Sequence, residues 1–232
     1  MIINNFQHGQ SFENDHVLIF MGNRFLGKNE LLDLFPIKFA ELHQVHEDLA
    51  IEQHTSSPAI DVLQKADAHF TADKNLGLIV KSADCMPICV FDPTLRKVLS
   101  IHAGWRGIAN QITIKSIQKV FPQSKELTLV IGPHIHQASF EVDLDVKNKI
   151  VDILKSDERK LCYKTNQDHS KYYINLKMVL LHDLKNHFPN VKMNFFDSEI
   201  DTFKDSRFNS FRRDKDKSGR NYSFVVLKSP AS

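Results

Sequence analysis

The run Ser82-Ala83-Asp84-Cys85-Met86-Pro87-Ile88, continued by Ser100-Ile101-His102-Ala103-Gly104-Trp105-Arg106-Gly107, decides how this chain is read. Each polar cluster follows a short apolar run, Leu78-Ile79-Val80 before the first and Val98-Leu99-Ser100-Ile101 before the second. Such runs read as buried strands. Two strands with Cys and His at their ends can bring a thiol and an imidazole together across a sheet. That builds either a metal site or a Cys–His nucleophile pair. At this point the residues leave both open.

Outward from this centre, the period-2 and apolar runs continue. His16 to Met21, Pro87 to Phe91, Leu127 to Ile131, Tyr172 to Ile174, Val191 to Phe196 and Ser223 to Leu227 read as strands. Asn29 to Leu34 reads as a short helix. After Gly107 the period changes, and Ile108, Ile112, Ile117, Val120 and Phe121 fit one helical face ended by Pro122. Asp145 is placed to cap a helix through Val146, Ile150 and Leu154, and Leu176 to Leu184 forms the next one. Glu52 to Pro58 and Asp157 to Ser170 read as polar loops, and Asp92-Pro93-Thr94 as a turn. Strands follow one another at the centre without regular alternation with helices. The expected class is α+β, a single domain over residues 1–232 with mixed sheets flanked by helices.

Bulk composition narrows the function. The 232 residues suffice for a full core, and 42% hydrophobic with 25% charged residues is ordinary for a soluble globular chain. A net charge of +2 implies no nucleic-acid partner by itself. Three cysteines, Cys85, Cys89 and Cys162, are too few for a disulfide framework and fit a reducing, cytoplasmic setting. The N-terminus shows no leader pattern, and no run is long enough for a membrane span.

His46 ends an alternation after Glu41-Leu42-His43-Gln44-Val45, as a ligand at a strand end would. With Cys85 and His102 it makes a three-ligand set of the catalytic-zinc kind, an ion held by three side chains with one position open. The gaps between these residues match no local zinc motif. The plainer reading of Cys85 alone is a buried core thiol, and Cys89, inside an apolar strand, is that case. Asp84 is either a turn residue or the acceptor that orients a ligand histidine. Arg106, at the start of a helix, reads as an anion clamp. Arg212, Arg213 and Arg220, near Ser218-Gly219, read as a solvated loop or as a second wall of an anion pocket. Trp105 is core or substrate stack, and His134 and His136 are potential further ligands.

Ala83-Asp84-Cys85-Met86-Pro87-Ile88, His102 to Gly107, Ile131-Gly132-Pro133 with Phe140-Glu141-Val142, and Phe211-Arg212-Arg213-Asp214 with Ser218-Gly219-Arg220 stand in an order that resembles the polyphenol-oxidase, laccase-domain family, also called YfiH-like. Gln44-Val45-His46 resembles that family's Gln-Val-His element. The resemblance implies zinc ligands at His46, Cys85 and His102, and an α/β/β/α-like domain related in outline to a toxin deamidase. It implies phosphorolysis of purine nucleosides (adenosine, inosine, guanosine, methylthioadenosine) and deamination of adenosine, with catalytic roles among Cys85, His102, Asp84 and Arg106. The copper of the laccase label is the less favoured metal. The family's N-terminal Arg-Gly-Gly-Val-Ser element is absent in that form, with Met21 to Gly27 the nearest match. His134 stands where many members have Cys.

Three alternatives remain at this stage. A metal-free Cys–His hydrolase or amidase would use Cys85 as nucleophile and His102 as base. A metal-stabilised binding module would carry the ion without turnover. A copper phenol oxidase would need a weak axial Met, and Met86 would point to the other strand face.

Overall fold

The apolar run Met86–Asp92 is buried along its whole length, and its two faces belong to two different cores. Met86, Ile88 and Val90 pack in one, Cys89 and Phe91 in the other. That is the period-2 alternation of a strand with no solvent face. The structure is a computed structural model that describes residues 1–55, 64–92, 97–168 and 170–229.

The chain opens with a hairpin, β1 (Ile2–Phe6) and β2 (Gly9–Glu13), then β3 (Val17–Gly22), helix α1 (Lys28–Leu34) and β4 (Lys38–Ala40). There follow β5 (Ala50–Glu52), β6 (Ala68–Thr71), β7 (Leu76–Ser82), β8 (Met86–Asp92) and β9 (Lys97–Ala103). Helices α2 (Trp105–Ala109) and α3 (Ile112–Val120) lead to β10 (Glu126–Ile131) and β11 (Glu141–Val142). Helices α4 (Leu144–Val151) and α5 (Ser156–Arg159), β12 (Tyr163–Thr165), β13 (Tyr172–Ile174), α6 (Leu176–His187) and β14 (Lys192–Asp197) come next. The final elements are α7 (Phe211–Asp214) and β15 (Asn221–Leu227).

Two sheets carry the fold. One runs β1-β2-β3-β15-β7-β4, the other β14-β10-β8-β9-β6-β5, and both mix parallel with antiparallel pairs. A small sheet, β11-β13-β12, stands apart. Phe12, Ile19, Met21, Leu78 and Val225 of the first sheet meet Cys89, Phe91, Val98 and Val130 of the second. The far face of the second sheet is covered by α2, α3, α4 and α6 through Ile108, Ile117, Ile150 and Val179. The far face of the first carries α1, with Leu31 beside Phe20, Ile79 and Phe224. The layers are therefore α/β/β/α in one mixed α+β assembly, as expected. Phe224 shows the packing at its densest, its ring 4.9 Å from Phe35 and 5.1 Å from Phe39. Truncating a fully buried phenylalanine of this kind costs about 3–5 kcal/mol.

Several local expectations give way. The helical face after Gly107 is split, because Gln111 sits in the left-handed region at φ 59 and separates α2 from α3. Helix α4 starts two residues earlier than expected, with Asp143 at its cap and Asp145 inside the first turn. Residues 157–168 are more ordered than a polar loop, holding α5 and β12, and Cys162 is fully buried against the helical core. The β1–β2 hairpin carries no strand signal in sequence because its exposed Ile2 and Ile3 break the in–out alternation. The turn at Pro93-Thr94 and the residues 56–58 of the polar loop lie outside the described residues. Among the described residues no helix is long and apolar enough to cross a membrane.

Candidate metal centre

Two passages of the chain between the two sheets and one strand of the second sheet converge at one end of the sandwich. The connection from β4 to β5 carries His46, the turn from β7 to β8 carries Cys85, and His102 is the next-to-last residue of β9. On β9, His102 shares the parity of Val98, which faces the other sheet, while Leu99 and Ile101 face the helices. One ligand atom from each of His46, Cys85 and His102 lies within 4.8 Å of the others, and no other such group of three occurs among the described residues. The His46 and His102 rings are 4.8 Å apart and nearly perpendicular, at 82°.

Asp67 organises the centre, and sequence reading gave it no role. It is fully buried, and its Oδ1 is 2.8 Å from His102 Nδ1. Its Oδ2 accepts from the backbone N–H groups of Val45 and Glu47, at 3.1 and 2.8 Å. A single carboxylate thus fixes the ring of one histidine and brackets the backbone of the other. His46 is not on a strand, as expected, but in a loop at φ 62, a conformation that needs such support. Gln44 supplies more, since its side chain donates to Lys81 O and accepts from Lys81 N on β7, at 2.7 and 2.8 Å. The signal for Asp67 was present in retrospect. It is a carboxylate set between Ala66 and Ala68 just before the buried strand β6.

Burial alone would push the Cys85 thiol up, but the His102 and His46 imidazoles beside it hold it at about 6. Burial would likewise lower His102, yet the Cys85 and Asp67 charges raise it to about 9. Without a metal the pair is a thiolate beside an imidazolium. A glycine at 104 makes the close approach possible, because a Cβ there would stand 3.0 Å from Cys85 Sγ and 3.2 Å from His46 Cδ2. The donor set of one thiolate and two imidazoles fits a tetrahedral zinc ion with an open fourth position. His102 has its second nitrogen fixed by a carboxylate, as metal-bound histidines commonly do.

The centre opens onto a cleft of about 520 Å³. Trp105, Phe140, Val142 and Phe211 give it apolar walls, and Arg106, Arg212 and Lys215 line it as cations. Arg106 lies 4.5 Å over the Trp105 ring. The five-residue helix behind it is too short to supply the helix-end field expected there. Arg212 Nη1 donates to Glu141 O at 2.8 Å, and its guanidinium sits 5.5 Å from the Phe140 ring. Lys215 was hidden in a polar run that carries no periodic signal. His46, Asp84 and Lys215 are all non-glycine residues at positive φ, and such strain gathers at functional sites.

Other expected residues land elsewhere. Asp84 lines the cleft but does not orient a ligand histidine, the role Asp67 takes. Its Oδ1 accepts from Thr202 Oγ1 at 2.7 Å and its Oδ2 from Arg212 N at 2.6 Å. Ile135 N donates to its carbonyl at 3.0 Å, so Asp84 ties the rim of the cleft to the Cys85 turn. Arg213 is not in the cleft. Its guanidinium is spent on the carbonyls of Thr202, Phe203 and Phe208 and on Asp214. Arg220 is exposed and donates to Ser218 O and Gly219 O. Arg24, near the N-terminal element, donates to Ser206 O, also away from the cleft. Trp105 both packs on the helical core and lines the cleft.

Comparison with known proteins adds to this geometry. A Staphylococcus aureus protein named purine nucleoside phosphorylase is 30% identical over 166 residues, 71% of this chain and 61% of the relative. A Rickettsia conorii protein of the same name is 38% identical over 103 residues, 44% of this chain and 42% of the relative. The matches thus span about half of these relatives' length. Among solved structures, YlmD of Geobacillus stearothermophilus superposes with a TM-score of 0.86 at 19% identity, covering 98% of this chain and 99% of that one. The hypothetical protein YfiH of Bacillus licheniformis gives 0.81 at 24%, covering 91% and 93%. Both share the fold. Residues 20–228 match the family described as multi-copper polyphenol oxidoreductase laccase, and the chain belongs to that family.

Proposed function

We propose that residues 1–232 form one catalytic domain, a zinc-dependent purine nucleoside phosphorylase acting on adenosine, inosine, guanosine or methylthioadenosine with phosphate, and deaminating adenosine as a second activity. The observation that carries this reading is the thiolate and two imidazoles opening onto a cleft with aromatic and cationic walls. The name shared by the Rickettsia and Staphylococcus relatives supports it.

His46, Cys85 and His102 would hold the ion. When bound it supplies a fixed positive charge of Lewis-acid character. Zinc is favoured over copper because Met86, the one thioether beside Cys85, is buried in the helical core and gives no axial ligand. Arg106, Arg212 and Lys215 orient phosphate by charge. Trp105, Phe140 and Phe211 offer faces for a purine. Phosphorolysis requires the attacking anion to be placed against C1′ of the ribose, so these residues act by orientation and by stabilising developing charge. The three free cysteines, one of them a thiolate, support a cytoplasmic, reducing setting.

The test supplies inosine and phosphate to zinc-loaded protein and measures hypoxanthine and ribose-1-phosphate. Product dependent on both substrates is expected, and none from loaded protein overturns the proposal. A second reading, a metal-free Cys–His hydrolase, is favoured by the depressed Cys85 thiol beside an Asp67-oriented His102. Elemental analysis separates the two: about one zinc per chain, lost in Cys85→Ser, excludes the hydrolase.

A further inference from the structure

The cleft beside the metal centre holds three carboxylates among its cations, Asp84, Glu141 and Asp143. His134 and His136 line a separate cleft with Lys177 and Lys204 and take no part in it. A carboxylate repels the phosphate that Arg106, Arg212 and Lys215 attract, so each of the three needs another partner. Asp84 has its own, since both its oxygens accept from the scaffold, at Thr202 Oγ1 and Arg212 N. Asp143 stands at the start of α4, its exposed carboxylate paired with Lys171. Glu141 differs. Its Oε2 accepts from Tyr173 Oη at 2.6 Å, while among the described residues its Oε1 has no hydrogen-bond partner. The bond to Glu141 pushes the Tyr173 phenol above its ordinary range, so the phenol remains the donor.

Glu141 stands where two walls of the cleft meet. Phe140, just before it, offers an aromatic face, and the Glu141 carbonyl accepts from Arg212 Nη1 at 2.8 Å. The Arg212 guanidinium lies 5.5 Å from the Phe140 ring. In a bound nucleoside the purine takes the aromatic faces, and phosphate takes the cations. The ribose joins them, because C1′ carries the base and receives the phosphate. A side chain at the seam between the walls therefore meets the sugar. The 2′ and 3′ hydroxyls of that sugar are donors, and a carboxylate accepts from them in a charge-assisted bond. Glu141 is also set in advance: β11 pairs with β13 so that Glu141 lies opposite Tyr173. An acceptor already held in place loses little freedom on binding.

We infer that Glu141 reads the ribose, its Oε1 accepting from the 2′ or 3′ hydroxyl while Tyr173 positions the carboxylate, so that the cleft selects ribonucleosides over deoxynucleosides. This rests on the nucleoside reading of the cleft and adds the group that chooses the sugar. An analogue without the hydroxyl leaves the acceptor unpaired and is turned away for that reason.

The test measures kcat/KM of zinc-loaded, full-length protein for inosine, 2′-deoxyinosine and 3′-deoxyinosine with phosphate, in wild type and Glu141→Ala. Wild type is expected to prefer inosine over one deoxy analogue by about 10–100-fold, the worth of a charge-assisted hydrogen bond. Glu141→Ala is expected to lose that preference by falling on inosine alone, with KM for phosphate unchanged. Glu141 is half-buried on a two-residue edge strand, so the variant is expected to fold. Tyr173→Phe keeps the carboxylate, removes its positioning bond and is expected to lose part of the same preference. A purely structural role would lower all three substrates equally, and a contact to the purine would leave the preference intact; either result overturns the inference. Calorimetry with the same nucleosides, without phosphate, separates binding from reaction. Binding that prefers inosine and loses the preference in Glu141→Ala, with no phosphorolysis, keeps Glu141 and overturns the phosphorylase reading. Neither binding nor turnover with any of the three overturns both.

Discussion

Asp67 Oδ1 lies 2.8 Å from His102 Nδ1, while the other oxygen of the same carboxylate takes the two N–H groups that flank His46. Two proposed ligands remote in the chain thus share one anchor. Asp67→Asn keeps the size but turns an NH₂ group toward either the imidazole or two N–H donors. Losing an outer-shell partner of this kind typically costs about 10–100-fold in metal affinity. Competition against a chromogenic chelator reads the loss, and an unchanged affinity would remove Asp67 from the centre.

In metal-free protein the Cys85 thiol titrates at about 6. Below that pH it is protonated and inert, and above it the thiolate reacts. Alkylation by iodoacetamide should rise with a midpoint near 6 and stop on zinc addition. A midpoint in the ordinary range, about 8.5, would mean that His102 does not sustain the charge.

Gly104→Ala places a methyl 3.0 Å from Cys85 Sγ and 3.2 Å from His46 Cδ2. The backbone there has an ordinary φ of −72, so the effect is one of space and not of strain. The variant should fold with near-wild-type melting temperature and lose metal and phosphorolysis together. Full zinc content would show that the ligands can spread to accept it.

Arg106 and Arg213 separate cleft from scaffold. Removing a charge-assisted hydrogen bond costs about 1.5–3 kcal/mol, so Arg106→Ala should raise KM for phosphate about 10–100-fold with little change in melting temperature. Arg213→Ala should do the reverse, since its donors hold three backbone carbonyls. Steady-state kinetics beside thermal unfolding reads both.

His69 is wholly buried, and burial pushes its imidazole down to about 3. The unfolded chain takes up that proton near pH 6.5. The stability from keeping His69 neutral is therefore fully present above about 6.5 and is lost as pH falls toward 3, by about 1.4 kcal/mol per unit. Urea unfolding of metal-free protein across this range should show a shallower acid slope in His69→Leu than in wild type.

How much of this was legible follows from local chemistry. Cys85 and His102 end apolar strands, and periodicity finds strands well. The β8 run reads as buried because both its faces are apolar. His46 stands out as the end of an apolar–polar alternation, yet it lies in a loop and not at a strand end, because the left-handed turn depends on Asp67, twenty-one residues away. Arg212 and Arg213 are adjacent and alike in sequence. One reaches the cleft and the other the backbone because successive residues of the short helix α7 point to different sides, the helix being capped by Ser210, whose Oγ accepts from Arg213 N. Asp84 and Asp67 exchanged the role expected of the first, since burial of a carboxylate beside a histidine is a tertiary fact.

Two of the donor residues ride on passages between the sheets and the third on a strand of the second sheet, so no fragment of one sheet contains them all. The centre comes into being only when the sandwich closes. An ion seated there would stitch together segments that nothing in the local chain joins, and would bind the closed form alone. Each tenfold rise in its concentration above Kd then adds about 1.4 kcal/mol to the folded state, so metal supply would govern how long this protein survives as well as whether it works.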